Sequence, residues 1–278
     1  MSTTESRIHS TSFEGFEVHV DDAGEGEVVV LLHSSGMSGA QWRRTAEPLV
    51  RGGARTIVPD LLGSGRSTPW PEGKPFGFDL DLEVVEGLLQ QIGRPVHLVG
   101  HSYGGHVALR AASRTPGRVL SLTLYDPVSV GVLDRDPERD GDALAEMPNL
   151  ALGWGASEAD HAAWLRGFVE YWSGAEAWSR LREATRAEMM RVGWVICAGA
   201  RSLVADRTGI EAYRSLTAKT VLVTGERSPL AARRIVARLG EVIPGARVER
   251  LAGAAHMGPL THVEPWNQIL TAHLAAVR

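Results

Sequence analysis

Six short runs rich in valine, isoleucine and leucine punctuate this chain, at residues 28–33, 55–59, 96–100, 120–125, 220–224 and 247–251. Continuous rather than alternating apolarity, as in residues 28–32, is the pattern of a strand covered on both faces. Between them lie longer stretches with helical periodicity, at 39–51, 81–91, 103–115, 230–243 and 264–277. Strand and helix in repeated succession predict an α/β fold, a mostly parallel sheet with helices on both faces. Ahead of these, residues 13–22 read as an antiparallel edge strand that ends in the turn-rich Asp22-Ala23-Gly24-Glu25-Gly26. A length of 278 residues fits one large domain, or one domain with an insert.

The rhythm breaks between about residues 131 and 216. Residues 134–142 form a charged segment typical of an exposed connection, and only helical patterns follow, at 158–172, 175–190 and 193–206. Five of the eight tryptophans fall in this stretch: Trp154, Trp164, Trp172, Trp178 and Trp194. An all-helical insert dense in tryptophan reads as a lid over the C-terminal edge of the sheet, where open α/β sheets bind ligands. The expected division is a core of residues 1–130 and 217–278 with a helical cap at 131–216. The competing reading gives the tryptophans to the insert's own small core, because bulky aromatics dominate burial. Trp172 and Trp194 are the candidate substrate contacts from the insert, with Ser34 and Met257 from the core.

Composition removes several function classes. Lysine plus arginine number 29 against 33 acids, a net charge of −4, which argues against nucleic acid or an anionic membrane surface as partner. Neither lysine, Lys74 or Lys219, sits in a Gly-Lys-Ser/Thr context, so there is no P-loop. The single cysteine, Cys197, makes no internal disulfide and no cysteine-based metal cluster, which fits a reducing cytosol. Residues 1–12 are polar and lack the apolar core of a signal peptide, and the longest apolar run, 28–32, falls far short of the roughly 18 residues a membrane helix needs. A cytoplasmic protein with a small-molecule substrate is expected, with a homodimer left open.

The chemistry concentrates in Gly100-His101-Ser102-Tyr103-Gly104-Gly105, directly after one apolar run and directly before a helical stretch. A serine hydroxyl is a poor nucleophile until its oxygen is exposed and its proton removed. A sharp strand-to-helix turn exposes it, provided nearly side-chain-free neighbours allow the turn, and glycines stand two before and two after Ser102. The turn also puts Tyr103 at a helix N-terminus, where its backbone N–H can face a developing oxyanion. A base is then required, and His256 lies among small residues in Gly253-Ala254-Ala255-His256-Met257-Gly258-Pro259, a loop after the last apolar run. His101 and His33 read as local supports, His262 and His273 as helix-surface residues. For the carboxylate that fixes the imidazole, Asp126 at a strand end before Pro127 is preferred. Glu226 is the alternative, although Arg227 beside it favours neutralisation or an outward turn. The second oxyanion donor is expected in His33-Ser34-Ser35-Gly36, at the N–H of Ser35. The loop Asp60-Leu61-Leu62-Gly63-Ser64-Gly65-Arg66-Ser67 lacks the spacing of a dinucleotide fingerprint and reads as a tight turn organised by Asp60.

Taken together, these motifs resemble an α/β-hydrolase with a helical cap, from about Phe13 to the C-terminus, in the order Ser102, acid, His256. The resemblance implies an eight-stranded sheet, a Ser-His-acid triad and hydrolysis through an acyl-enzyme without cofactor or metal. Two departures stand out: Ser34 replaces the glycine usual after His33, and Gly225-Glu226-Arg227-Ser228 carries serine where the family's Gly-x-x-Asp carries its acid. Some members of the superfamily place the acid one strand earlier, which is where Asp126 falls. The serine nucleophile argues against the epoxide hydrolase and dehalogenase branches. The function expected is cleavage of a small or medium, largely apolar ester, lactone or similar acyl compound, with Arg66 as a cation within reach of any carboxylate. Carbon-skeleton chemistry with the same triad (a C–C bond hydrolase or lyase) and a non-catalytic small-molecule receptor are the rivals, since a fold alone does not give function.

Overall fold

The computed structural model describes residues 7–133, 138–147, 153–155 and 157–277. The first half of the polar N-terminal segment and residues 134–137 of the charged connection lie outside them. The strands are β1 (Ser10–Phe13), β2 (Phe16–Gly24), β3 (Val28–Leu32), β4 (Arg55–Pro59), β5 (Val96–His101), β6 (Val119–Tyr125), β7 (Lys219–Gly225) and β8 (Arg247–Leu251). They form one eight-stranded sheet in the order β1-β2-β4-β3-β5-β6-β7-β8, antiparallel at β1-β2 and β2-β4 and parallel elsewhere. The single edge strand expected at 13–22 is in fact a hairpin of two, because Glu14 and Gly15 both adopt left-handed backbone and reverse the chain there.

The described helices are α1 (Arg43–Arg51), α2 (Phe78–Ile92), α3 (Tyr103–Arg114), α4 (Gly141–Glu146), α5 (Glu158–Ser173), α6 (Ala177–Arg180), α7 (Glu183–Arg191), α8 (Gly193–Ala205), α9 (Leu230–Val242), α10 (Gly258–Thr261) and α11 (Val263–Ala275). The pleat of β3 shows how the continuous apolar runs are used. Val28, Val30 and Leu32 face a core built with α2, α3 and α9, while Val29 and Leu31 face Trp42, Leu49, Trp266 and Leu270 on the side of α1 and α11. Both faces are therefore filled, and alternation has nowhere to appear. His273, expected on a helix surface, is buried in this second layer, with Nε2 3.1 Å from the Lys219 carbonyl.

Helices α4 to α8 all lie between β6 and β7 in the chain. The helix expected at 175–190 is two, α6 and α7, separated by extended backbone at Leu181 and Arg182. Helix α5 begins on a capping box in which Ser157 and Asp160 satisfy each other's N–H groups. The insert is fastened to the core where buried Asp140, just before α4, accepts from Arg238 of α9 at 3.1 and 3.2 Å. Among the described residues no helix is long and apolar enough to cross a membrane.

Candidate active site

Ser102 stands between β5 and α3 with φ 55° and ψ −116°, a conformation that a side-chain-bearing residue holds only when its surroundings impose it. Here they do. The Ser102 N–H donates to the Tyr125 carbonyl at 2.9 Å, and its carbonyl accepts from His106 and Val128. A Cβ on Gly100 would lie 2.5 Å from the Gly104 carbonyl, and one on Gly104 would lie 2.4 Å from the His33 carbonyl. The turn can thus close only over bare backbone.

The imidazole of His256 reaches this corner from the loop between β8 and α10. Its Nε2 is 2.9 Å from Ser102 Oγ and its Nδ1 is 3.1 Å from Asp126 Oδ2. Three neighbours brace it. His101 Nε2 donates to the His256 carbonyl at 2.8 Å, the Tyr125 hydroxyl donates to the Ala255 carbonyl at 2.7 Å, and the Trp172 ring lies 4.3 Å from the imidazole centroid. Burial beside two other histidines pushes His101 well below the usual imidazole range, so it serves as a neutral strut.

Asp126 follows β6, has positive φ (43°), and is fully buried. Besides the imidazole it accepts from Thr224 Oγ1 and Ser228 Oγ, each at 2.6 Å. Ser228 is the serine that stands where the family pattern carries its acid; its hydroxyl reaches the carboxylate from the neighbouring strand end. Glu226, the alternative acid, is exposed and accepts from the Gly253 N–H at 2.8 Å, away from His256.

Ser35 and Tyr103 both line a small cavity at Ser102, and Tyr103 opens α3, so its N–H has no acceptor within the helix. Ser34, Trp172 and Met257 line an adjoining cavity of about 100 Å³ that also contains Ser102 and His256. Trp194 does not join them. It packs with Leu62 and Trp70, and its Nε1 donates to the Lys74 carbonyl at 3.0 Å, because its place at the start of α8 faces the β2 side of the sheet. Trp154, Trp164 and Trp178 pack in the insert's own apolar cluster. Arg66 is likewise remote from Ser102, paired with Asp21 and Asp60.

Sequence reasoning left several participants unnamed. Thr224 completes the Asp126 carboxylate and Gln41 accepts from both the N–H and the hydroxyl of Ser34. Phe168, Val169 and Met189 line the larger cavity, with Val128, Val130 and Leu203 in the smaller. Asp81 is the notable omission: a carboxyl on the core-facing stripe Phe78-Asp81-Leu82-Val85 of α2, visible as an acid in an apolar register.

Among curated proteins, 128 residues align at 33% identity with the 2-hydroxy-6-oxo-6-phenylhexa-2,4-dienoate hydrolase of Burkholderia cepacia, covering 45% of this chain and 44% of that protein. The match therefore spans less than half of that relative's length. Among solved structures, the meta-cleavage product hydrolase of Pseudomonas fluorescens IP01 superposes with a TM-score of 0.72 at 21% identity, over 98% of this chain and 99% of that one. The enol-lactonase of Burkholderia xenovorans LB400 does so with a TM-score of 0.73 at 18% identity, over 96% and 99%. At these identities the likeness is one of fold. A model of the alpha/beta hydrolase family matches residues 29–269, most of the chain, and the protein belongs to that family.

Proposed function

We propose that the protein is a serine hydrolase of small or medium, largely apolar esters, lactones or similar acyl compounds. Ser102 Oγ attacks the acyl carbon while His256 takes its proton; Asp126 fixes the imidazole tautomer and stabilises the imidazolium. The carbonyl oxygen, now bearing the charge, is held by the N–H groups of Tyr103 and Ser35. The tetrahedral adduct collapses by breaking the bond to the alkoxy oxygen, which leaves with the proton from His256. Water, deprotonated by the same imidazole, then releases the acid and regenerates Ser102. In this reading the helical insert, residues 131–216, is the lid that closes over the acyl group.

The observation that carries the proposal is the buried Asp126–His256–Ser102 relay opening into cavities whose described lining includes no lysine or arginine. An unpaired carboxylate is costly to bury, so such a lining favours a neutral substrate. A second reading, hydrolysis of a C–C bond beside a ketone by the same residues, is favoured by the activities for which the Burkholderia and Pseudomonas proteins are named. An alkyl fluorophosphonate should label the wild-type chain and leave Ser102→Ala and His256→Ala unlabelled; an unlabelled wild type overturns the hydrolase reading. Faster turnover of p-nitrophenyl butyrate than of a phenyl-substituted 2-hydroxy-6-oxo-dienoate supports the ester reading, and the reverse order supports the second.

A further inference from the structure

Joined to the Ser102 turn through Tyr103 is a carboxyl that the Ser102–His256–Asp126 arrangement does not use. Asp81 of α2 is fully buried, accepts from the Tyr103 hydroxyl at 2.7 Å and from the Leu62 N–H at 2.9 Å. We propose that Asp81 is a positioning residue, one that sets the spacing of the two oxyanion-binding N–H groups through Tyr103 on one side and the Leu61-Leu62 turn on the other. The inference rests on the hydrolase reading, which assigns those N–H groups to the oxyanion.

The connection on the Tyr103 side is direct. The residue whose backbone N–H faces the substrate oxygen is tethered at its far end, the phenol, to a carboxyl on another helix. Its ring is confined as well, because a Cβ on Gly199 of α8 would lie 3.2 Å from Tyr103 Cε2. On the other side the path runs through consecutive peptide groups. The Leu62 N–H goes to Asp81 and the Leu61 N–H goes to His33 Nε2 at 2.9 Å. A peptide N–H only donates, so Nε2 of His33 accepts and its Nδ1 carries the proton, which it donates to the Ser34 carbonyl at 2.9 Å. That carbonyl shares one rigid plane with the Ser35 N–H. Fixing the oxygen therefore fixes the direction of the hydrogen on the opposite side of the plane. His33, Ser34, Ser35, Leu61, Leu62, Asp81 and Tyr103 also border one small cavity, so the two paths meet around a common space. Burial raises Asp81 to about 7, a cost of the kind that functional sites accumulate.

The test uses the full chain and p-nitrophenyl butyrate. Tyr103→Phe and Asp81→Ala should each lower kcat ~30-fold with KM within about twofold of wild type, the scale expected when donors shift by a fraction of an ångström. The double variant should fall no more than about threefold below the weaker single, since both break one tether. Asp81→Asn, whose amide accepts from Leu62 and donates to the tyrosine oxygen, should recover most of the kcat that Asp81→Ala loses. Should Asp81→Ala not accumulate folded, Tyr103→Phe decides alone. A Tyr103→Phe kcat within twofold of wild type overturns the inference, as does Asp81→Asn falling as low as Asp81→Ala. A labelled wild type with a normal Tyr103→Phe rate sinks this inference and leaves the hydrolase reading standing, whereas an unlabelled wild type sinks the reading itself.

Discussion

Two fully buried aspartates are each joined to the Ser102 turn by one intervening side chain, Asp126 by His256 and Asp81 by Tyr103. Their surroundings differ in the supply of hydrogen-bond donors. Asp126 sits at a strand end, where the neighbouring strand β7 and its loop bring two hydroxyls to it in addition to the imidazole. Asp81 sits within a helix, whose interior N–H groups are consumed by its own backbone, and it draws on one phenol and one loop peptide. Burial then dominates, and its pKa climbs from 3.8 to about 7. A sheet edge can furnish a buried charge with partners; a helix face must borrow them from elsewhere.

The contrast can be broken most forcefully at Asp126. Asp126→Asn should cost on the order of 10⁴ in kcat by presenting the imidazole in the wrong tautomer, read in steady-state ester hydrolysis. The Asp81 side should announce itself in stability. A carboxyl whose pKa is raised on folding holds its proton more tightly folded than unfolded, so stability drains away as pH climbs from about 4 to about 7 and is level above. Relative to wild type, Asp81→Asn should therefore gain ~4 kcal/mol between pH 4 and pH 8 in urea titrations; a difference that does not move with pH would contradict the burial argument. Ser228→Ala should lower kcat ~10-fold or somewhat more, the low end of what one hydrogen bond to a charged group is worth. Smallest of all, Glu226→Gln should leave kcat within twofold; a large loss there would hand the acid's role to Glu226.

Much of this was legible in the residues. Apolar runs located β3 to β7 because strands covered on both faces need no alternation, whereas β8, Arg-Val-Glu-Arg-Leu, is a largely exposed edge strand whose run is not continuous. Ser102 and His256 were legible because small residues crowd around each. The acid was harder: Asp126 and Glu226 both end strands, and in sequence only Arg227 beside Glu226 and the superfamily's alternative acid position favoured Asp126. In the structure the imidazole lies 3.1 Å from Asp126, and Glu226 is turned to the Gly253 N–H. Trp172 and Trp194 looked alike in sequence, and α5 turns one toward His256 while α8 turns the other toward Lys74. Helix phase alone carries no information about what the opposite wall will be. Asp81 was missed for a different reason, since an acid beside Asp79 and Glu83 reads as a solvated face until its register with Phe78 and Val85 is counted.

Four described residues other than glycine hold left-handed φ: Glu14, Ser102, Asp126 and Glu176. Two of the four are the proposed nucleophile and its acid, and each such conformation is disfavoured by about 1–2 kcal/mol for a residue with a side chain. Thermal endurance and reactivity therefore compete at the same two backbone positions. A lineage selected for hardiness alone would drift toward glycine at both, keeping the architecture intact while silencing its chemistry.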